Sequence, residues 1–144
     1  MGTRLTPSLS SIRILLAAAG ICIAGCGTRQ PAVYPVTLTV TYTDKKPVVG
    51  AQVALLSTEH KTMARGSTGS DGSCRLTTFE SEDGAVAGPS KVIVAKPPLI
   101  GDPDKPYQGP QIADKFSSAL TSGLEVVVTE DGSKNSFPIT ITPR

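Results

Sequence analysis

Apolar and polar residues alternate strictly along residues 36–43, where the sequence is Val-Thr-Leu-Thr-Val-Thr-Tyr-Thr. Successive side chains of a strand point to opposite faces, so Val36, Leu38, Val40 and Tyr42 would share one face and four threonines the other. The pattern predicts a β-strand with one buried face.

Six further stretches combine β-branched or apolar residues with flanking turn signals, and each is predicted to be a strand. Pro138 cannot donate to a ladder, so the last strand should lie at an edge or direct its proline nitrogen outward. Seven short strands without a long helical period predict an all-β, antiparallel sandwich. The six stretches are residues 50–56, 63–68, 74–79, 91–96, 124–129 and 137–142.

The start of the chain has the pattern of a signal peptide: a positively charged stretch without acidic residues leads into an apolar run at residues 14–23. This run is about half as long as the roughly 20 apolar residues that span a membrane. The motif Ile-Ala-Gly-Cys at residues 23–26 resembles the bacterial lipobox, in which the Cys sulfur is lipidated and the chain is cut before it. The alternative is ordinary cleavage near Ala17 or Ala19, with Cys26 unmodified.

Lipidation at Cys26 divides the chain into a signal peptide (residues 1–25), a tether (residues 26–33) and a folded domain (residues 34–143). Two or three acyl chains, at about 0.8 kcal/mol per buried methylene, hold such a domain at a membrane essentially permanently. In lipoproteins of Gram-negative type, a non-acidic residue directly after the lipidated Cys, here Gly27, usually indicates localisation to the outer membrane. We therefore expect a lipid-anchored protein of the cell envelope, facing the periplasm or the cell surface.

The charge of the chain narrows its possible partners. Arg4 and Arg13 supply the whole formal net charge of +2, so the remainder is balanced and no nucleic-acid surface is expected.

Cys22 leaves with the signal peptide and Cys26 is the lipid site, which leaves Cys74 alone and excludes an internal disulfide. Cys74 is predicted to be a small buried hydrophobe within a strand.

Catalytic and metal-binding residues are scarce in the sequence. His60 is the sole histidine, whereas zinc and non-haem iron sites need two or more His or Cys ligands. Glu80, Glu82 and Asp83 could offer oxygen ligands to calcium, but they lack the spacing of a calcium loop, and a solvated turn is favoured. We therefore expect no enzyme activity, no metal and no cofactor.

The segment of residues 97–123 is longer than the roughly 12–15 residues beyond which structureless loops become uncommon. Loops on a rigid scaffold often carry function, so we expect this one to pack partly over the sandwich and to offer Tyr107 as an exposed contact. Tyr107 and Phe116 are its candidate partner-contact rings. Equally, all its large apolar residues could simply cover an end or edge of the sheet. These residues are Leu99, Ile100, Tyr107, Ile112 and Phe116.

Residues 40–42 (Val-Thr-Tyr), 47–53 (Pro-Val-Val-Gly-Ala-Gln-Val) and 67–72 (Ser-Thr-Gly-Ser-Asp-Gly) resemble the carboxypeptidase regulatory-like domain. The resemblance is firm over residues 36–79 and extends more weakly to residue 96. It implies a seven-stranded, transthyretin-like (prealbumin-like) sandwich. Two later stretches, residues 115–116 (Lys-Phe) and 121–124 (Thr-Ser-Gly-Leu), are similar to single-domain lipoproteins of this family from planctomycete-type bacteria.

The family implies a fold better than a function, since its members serve as interaction modules, as envelope proteins and as carbohydrate-binding relatives. We expect a non-enzymatic, membrane-anchored lipoprotein that acts as a structural or protein-interaction module. The alternative is a lipoprotein that binds a glycan or another small ligand. The partners are therefore the membrane, through the lipid at Cys26, and an envelope protein or a glycan.

Overall fold

The computed structural model describes Gly2, residues 29–97 and residues 109–144. Cys26 and Tyr107 lie outside these residues. The described part contains no α-helix, only strands and two short 3₁₀ turns, at Asp114–Ser117 and Gly132–Lys134. The strands are β1 (Val33–Tyr34), β2 (Thr37–Tyr42), β3 (Gln52–Ser57), β4 (Met63–Ser67), β5 (Ser73–Arg75), β6 (Ala85–Val86), β7 (Gly88–Ala95), β8 (Glu125–Val128) and β9 (Ser136–Ile141).

The strands form a sandwich, which confirms the predicted fold class. One sheet has the order β5-β2-β9 and the other the order β4-β3-β7-β8, while β1 and β6 form a separate two-stranded pair. Along one side the sheets are joined, because Arg65 of β4 and Thr77, just after β5, exchange two backbone hydrogen bonds of 2.8 Å. The side formed by β8 and β9 carries the other two edges.

Each of the seven predicted strands has a counterpart in the structure. β5 is shorter than expected because the chain turns away after Leu76, and β7 begins earlier, at Gly88. The short strands β1 and β6 were not predicted, since two residues are too few to show a period. β1 begins at Val33, one residue before the predicted start of the domain.

The pairing of β2 with β9 is parallel, whereas every other strand pair of the described residues is antiparallel. A purely antiparallel sandwich was predicted. The parallel pair arises because β8 and β9 belong to different sheets, so the chain crosses from one sheet to the other between them. Both expectations for Pro138 are met. β9 is an edge strand. The backbone groups of its odd-numbered residues face β2, since the carbonyls of Asn135 and Ile141 accept from the N–H groups of Thr37 and Thr43. The nitrogen of Pro138 therefore faces away from β2.

The core lies between the two sheets and consists mainly of aliphatic side chains. Val36, Leu38 and Val40 are buried and Tyr42 packs against them, as the alternation predicted. Cys74 is also buried, with 4% of its surface exposed. The opposite sheet contributes Val53, Leu55, Val92 and Val94 to the same core.

Asn135 fixes the corner between β8 and β9. Its side chain is 2% exposed, and its Oδ1 accepts hydrogen bonds from the N–H (2.9 Å) and the hydroxyl (3.0 Å) of Thr129. Its Nδ2 donates to the Thr129 carbonyl at 2.8 Å. A buried amide is stable only when its hydrogen bonds are satisfied. The Asn135 side chain and the Thr129 backbone satisfy each other at the crossover, where none of the described strands pairs with Thr129.

The two ends of the sandwich carry different parts of the chain. The near end, where β1 and β6 pair and β2 begins, includes the turn of residues 77–84. The far end, where β2 and β7 finish, includes residues 43–51, and the 3₁₀ turn at Asp114–Ser117 lies beside the end of β7. The long segment therefore begins at the end of the sandwich opposite the N-terminal strand.

Val40→Asp should destabilise the fold by more than about 4 kcal/mol, because it buries an unpaired charge in the core. Thr39→Asp, on the opposite face of β2, should cost less than about 1 kcal/mol. Thermal denaturation followed by circular dichroism compares the two variants. Equal losses would mean that the faces of β2 are assigned incorrectly.

Candidate functional site

The described half of the long segment, residues 109–123, packs against the sandwich as expected. Ile112 and Phe116 belong to the core, and the 3₁₀ turn that carries Phe116 lies against β7. This turn is closed by the Phe116 N–H, which donates to the Ala113 carbonyl at 3.0 Å.

Phe116 does not have the exposure expected of a partner contact. Its side chain is 4% exposed, and the Lys115 ammonium lies 4.8 Å from the centre of its ring. Its ring faces the core because the 3₁₀ turn directs it toward β7, so we assign Phe116 a packing role. Tyr107, the other candidate, lies outside the described residues.

A cavity of about 200 Å³ lies where the long segment meets the end of β7. Asp114 stands at its rim, with the Lys96 ammonium 3.9 Å and the Arg144 guanidinium 3.9 Å from its carboxylate oxygens. These separations give weak, solvent-screened ion pairs. The cavity is lined by Ala95, Lys96, Ile112, Ala113, Asp114 and Ser117.

The carboxylate of Asp83 organises the acidic turn that was considered for calcium. It accepts hydrogen bonds from the backbone N–H groups of Thr78 (2.7 Å), Phe79 (2.9 Å) and Glu80 (2.9 Å). Desolvation alone would raise the pKa of this carboxyl, but the three N–H donors outweigh it and lower the pKa below its ordinary value of 3.8. Asp83 is thus a structural acceptor within the turn.

Two threonines complete the same turn. The Thr77 hydroxyl accepts from the Glu82 N–H at 2.9 Å, and the Thr78 hydroxyl donates to the Gly84 carbonyl at 2.6 Å. The Glu82 carboxylate pairs with Arg75 at 3.1 Å across the exposed surface. Several hydrogen bonds therefore hold this turn, whereas its acidic sequence predicted only a solvated turn.

His60 and Cys74 both lie where the sequence placed them. His60 is exposed in the turn between β3 and β4, where its backbone N–H donates to the Ser57 hydroxyl at 3.2 Å. Burial raises the pKa of the Cys74 thiol to about 11, so it stays protonated and poorly nucleophilic at neutral pH. The two residues belong to different parts of the sandwich, and neither forms a site with the other.

Across residues 29–97 and 109–144, no group of three or more His, Cys, Asp or Glu side chains is placed to hold a metal ion. In the same part of the chain, no helix is long and apolar enough to cross a membrane.

Comparison with known proteins gives two structural likenesses. No protein-family profile and no curated protein sequence matches the chain. The crystal structure of BcpA, the major pilin subunit of Bacillus cereus, aligns with 79% of this chain at 16% identity and a TM-score of 0.46. A variant of the same pilin aligns over the same share with a TM-score of 0.47. The chain spans 30% of the pilin's length in both cases.

Asp83→Ala should destabilise the domain by about 1–2 kcal/mol, because three backbone N–H groups lose their acceptor. The folded pKa of Asp83 is lowered, so its stabilisation is present above the ordinary carboxyl pKa of 3.8 and is lost as pH falls through the folded value. Urea unfolding at neutral pH and near pH 3 measures both effects.

The matched control is Glu80→Ala, which removes an exposed carboxylate from the same turn and should leave stability nearly unchanged. A difference between wild type and Asp83→Ala that persists undiminished at low pH would contradict the proposed role of the ionised carboxylate.

Proposed function

We propose that this protein is a lipid-anchored protein of the cell envelope whose β-sandwich acts as a structural or protein-interaction module, not as an enzyme. The observation that carries the proposal is the order of features at the start of the chain. An apolar run too short to span a membrane leads to the lipobox-like residues 23–26, and the first strand begins shortly afterwards, at Val33. Acyl chains at Cys26 would hold the sandwich at the membrane surface.

The use of polar groups in the sandwich supports a non-catalytic role. Asp83 accepts three backbone hydrogen bonds, Asn135 is committed to Thr129, and Cys74 is a buried thiol with a raised pKa. Each of these groups stabilises the fold. A general base or nucleophile would instead need to reach a substrate from a cleft.

The motifs shared with the carboxypeptidase regulatory-like domain also support a module rather than a complete enzyme. We assign the sandwich to this transthyretin-like type, and the chain also resembles planctomycete-type lipoproteins. Gly27 after the lipidated Cys favours the outer membrane, where the domain would face the periplasm or the cell surface. The partner is then an envelope component, and nucleic acid is not expected for a balanced net charge.

Binding of a small ligand is the weaker alternative. The cavity beside Asp114 measures about 200 Å³, below the roughly 300–1,000 Å³ typical of small-molecule sites. A glycan platform would use exposed aromatic rings, and Phe116 is buried. Tyr107 is therefore the aromatic residue of the long segment on which a partner contact would depend.

Cys26→Ser should abolish lipidation and release the protein from the membrane, because lipid is attached to the sulfur of this residue. Detergent phase partitioning and intact mass of the product measure the loss. Cys22→Ser is the matched control, since Cys22 belongs to the signal peptide. If a Cys26→Ser protein still carried acyl mass, the lipid site would lie elsewhere.

Tyr107→Ala should leave thermal stability nearly unchanged and weaken the recovery of an envelope partner from detergent-solubilised membranes. Phe116→Ala is the control for packing, and it should destabilise the domain by about 3–5 kcal/mol because it opens a cavity in the core. Quantitative mass spectrometry of the captured proteins and thermal denaturation are the two measurements. A stability loss at Tyr107 without a change in capture would assign Tyr107 to packing as well.

A further inference from the structure

We infer that the near end of the sandwich rests on the lipid bilayer and that Phe79 contacts the membrane interface. The inference rests on the proposed lipid anchor and adds an orientation and a contact surface to it. It assigns opposite roles to the two ends: residues 77–84 face the lipid, and residues 43–51, at the far end, face away from it.

The length of the tether limits which end can reach the membrane. Val33 enters β1 seven residues after Cys26, so the tether spans at most about 25 Å. The eight residues of β7 cover about 23 Å between the two ends, at about 3.3 Å per residue. The far end could touch the bilayer only if the tether ran nearly straight along the whole sandwich.

The turn of residues 77–84 lies directly beside the strand that the tether enters. Ala85, which follows the turn, pairs with Tyr34 of β1, and the Gly84 N–H donates to the Leu76 carbonyl at 2.9 Å. Gly84 has a positive φ of 99° and lies so close to the Tyr34 backbone that no side chain would fit. The position of the turn is thus fixed relative to the anchored strand.

Phe79 is the large apolar side chain that this turn exposes. It is 40% exposed, although its backbone N–H is held by the Asp83 carboxylate at 2.9 Å. A side chain on a turn that is already ordered loses little further entropy on contact. Tethering also raises its effective concentration at the interface, so a single ring suffices for a contact that it could not sustain from solution.

The charges around Phe79 indicate which lipid surface it would meet. Glu80 and Glu82 are exposed beside it, and Glu82 is paired with Arg75 at 3.1 Å. The turn therefore lacks the excess of basic residues that draws proteins to anionic lipids. It fits a zwitterionic surface, where apolar contact drives the interaction.

A tryptophan reporter tests this orientation, because the chain contains no tryptophan of its own. Phe79→Trp places the reporter in the turn, and Val49→Trp is the matched control at the far end, at a residue that is 48% exposed. Each lipidated protein is reconstituted into vesicles of phosphatidylethanolamine and phosphatidylcholine with brominated acyl chains. Bromine quenches indole fluorescence only at close range, so quenching reports contact with the lipid.

We expect vesicle-bound Phe79→Trp to lose fluorescence and shift its emission to shorter wavelength, while Val49→Trp does neither. Adding anionic lipid should not strengthen the quenching. Equal quenching at both positions would mean that the sandwich lies on its side, and no quenching at residue 79 would mean that the domain stands away from the lipid. Either result overturns the inference. Protein that fails to float with the vesicles would instead refute the lipid anchor, which flotation measures separately.

Discussion

The two sheets are held together by contact between aliphatic side chains, and every other feature of the domain depends on that contact. Leu38 and Val40 of β2 share one core with Val53 and Val92 of the opposite sheet, and Cys74 belongs to that core as a free thiol. Branched side chains have few rotamers to lose, and they fill the space between sheets well. The core therefore has to supply the stability that a covalent cross-link gives many small secreted domains.

Polar groups act where this packing ends. Asn135 satisfies the backbone of Thr129 at the crossover between the sheets, and Asp83 satisfies three N–H groups where β5 gives way to a turn. Both side chains hydrogen-bond to backbone groups that have no partner strand among the described residues at these interruptions of the β-ladder. The sheet edges are protected in two ways. On the side of β4 and β5, backbone hydrogen bonds between Arg65 and Thr77 join the two sheets. On the other side, Pro138 leaves β9 without one outward N–H donor.

The sequence predicted the parts of this fold that depend on local pattern. Alternation located the strand at β2 and its buried face, and Pro138 indicated that β9 would lie at an edge or direct the proline nitrogen outward. The parallel pairing of β2 and β9 was not predictable in the same way, because register across distant strands depends on how the chain crosses between sheets. Asp83 looked like a solvated acid for a related reason, since its donors are positioned by the fold of the whole turn.

Phe116 shows the same limit within the candidate site. An aromatic residue in a proline-rich stretch carries no periodic signal of which way it faces, and the core position of Phe116 depends on a single 3₁₀ turn. The sequence identified the large apolar residues of this segment, and tertiary packing placed Ile112 and Phe116 in the core.

The parallel pairing of β2 and β9 also determines how the domain would bear a mechanical load. The chain enters β2 at the near end and leaves β9 at the far end, so a pull between the residues before β2 and those after β9 acts along the two strands in opposite directions. Such a pull shears six register pairs at the same time instead of opening them one after another like a zipper. Strain is then shared across the whole strand pair, and the sandwich resists extension along the line that joins its two ends.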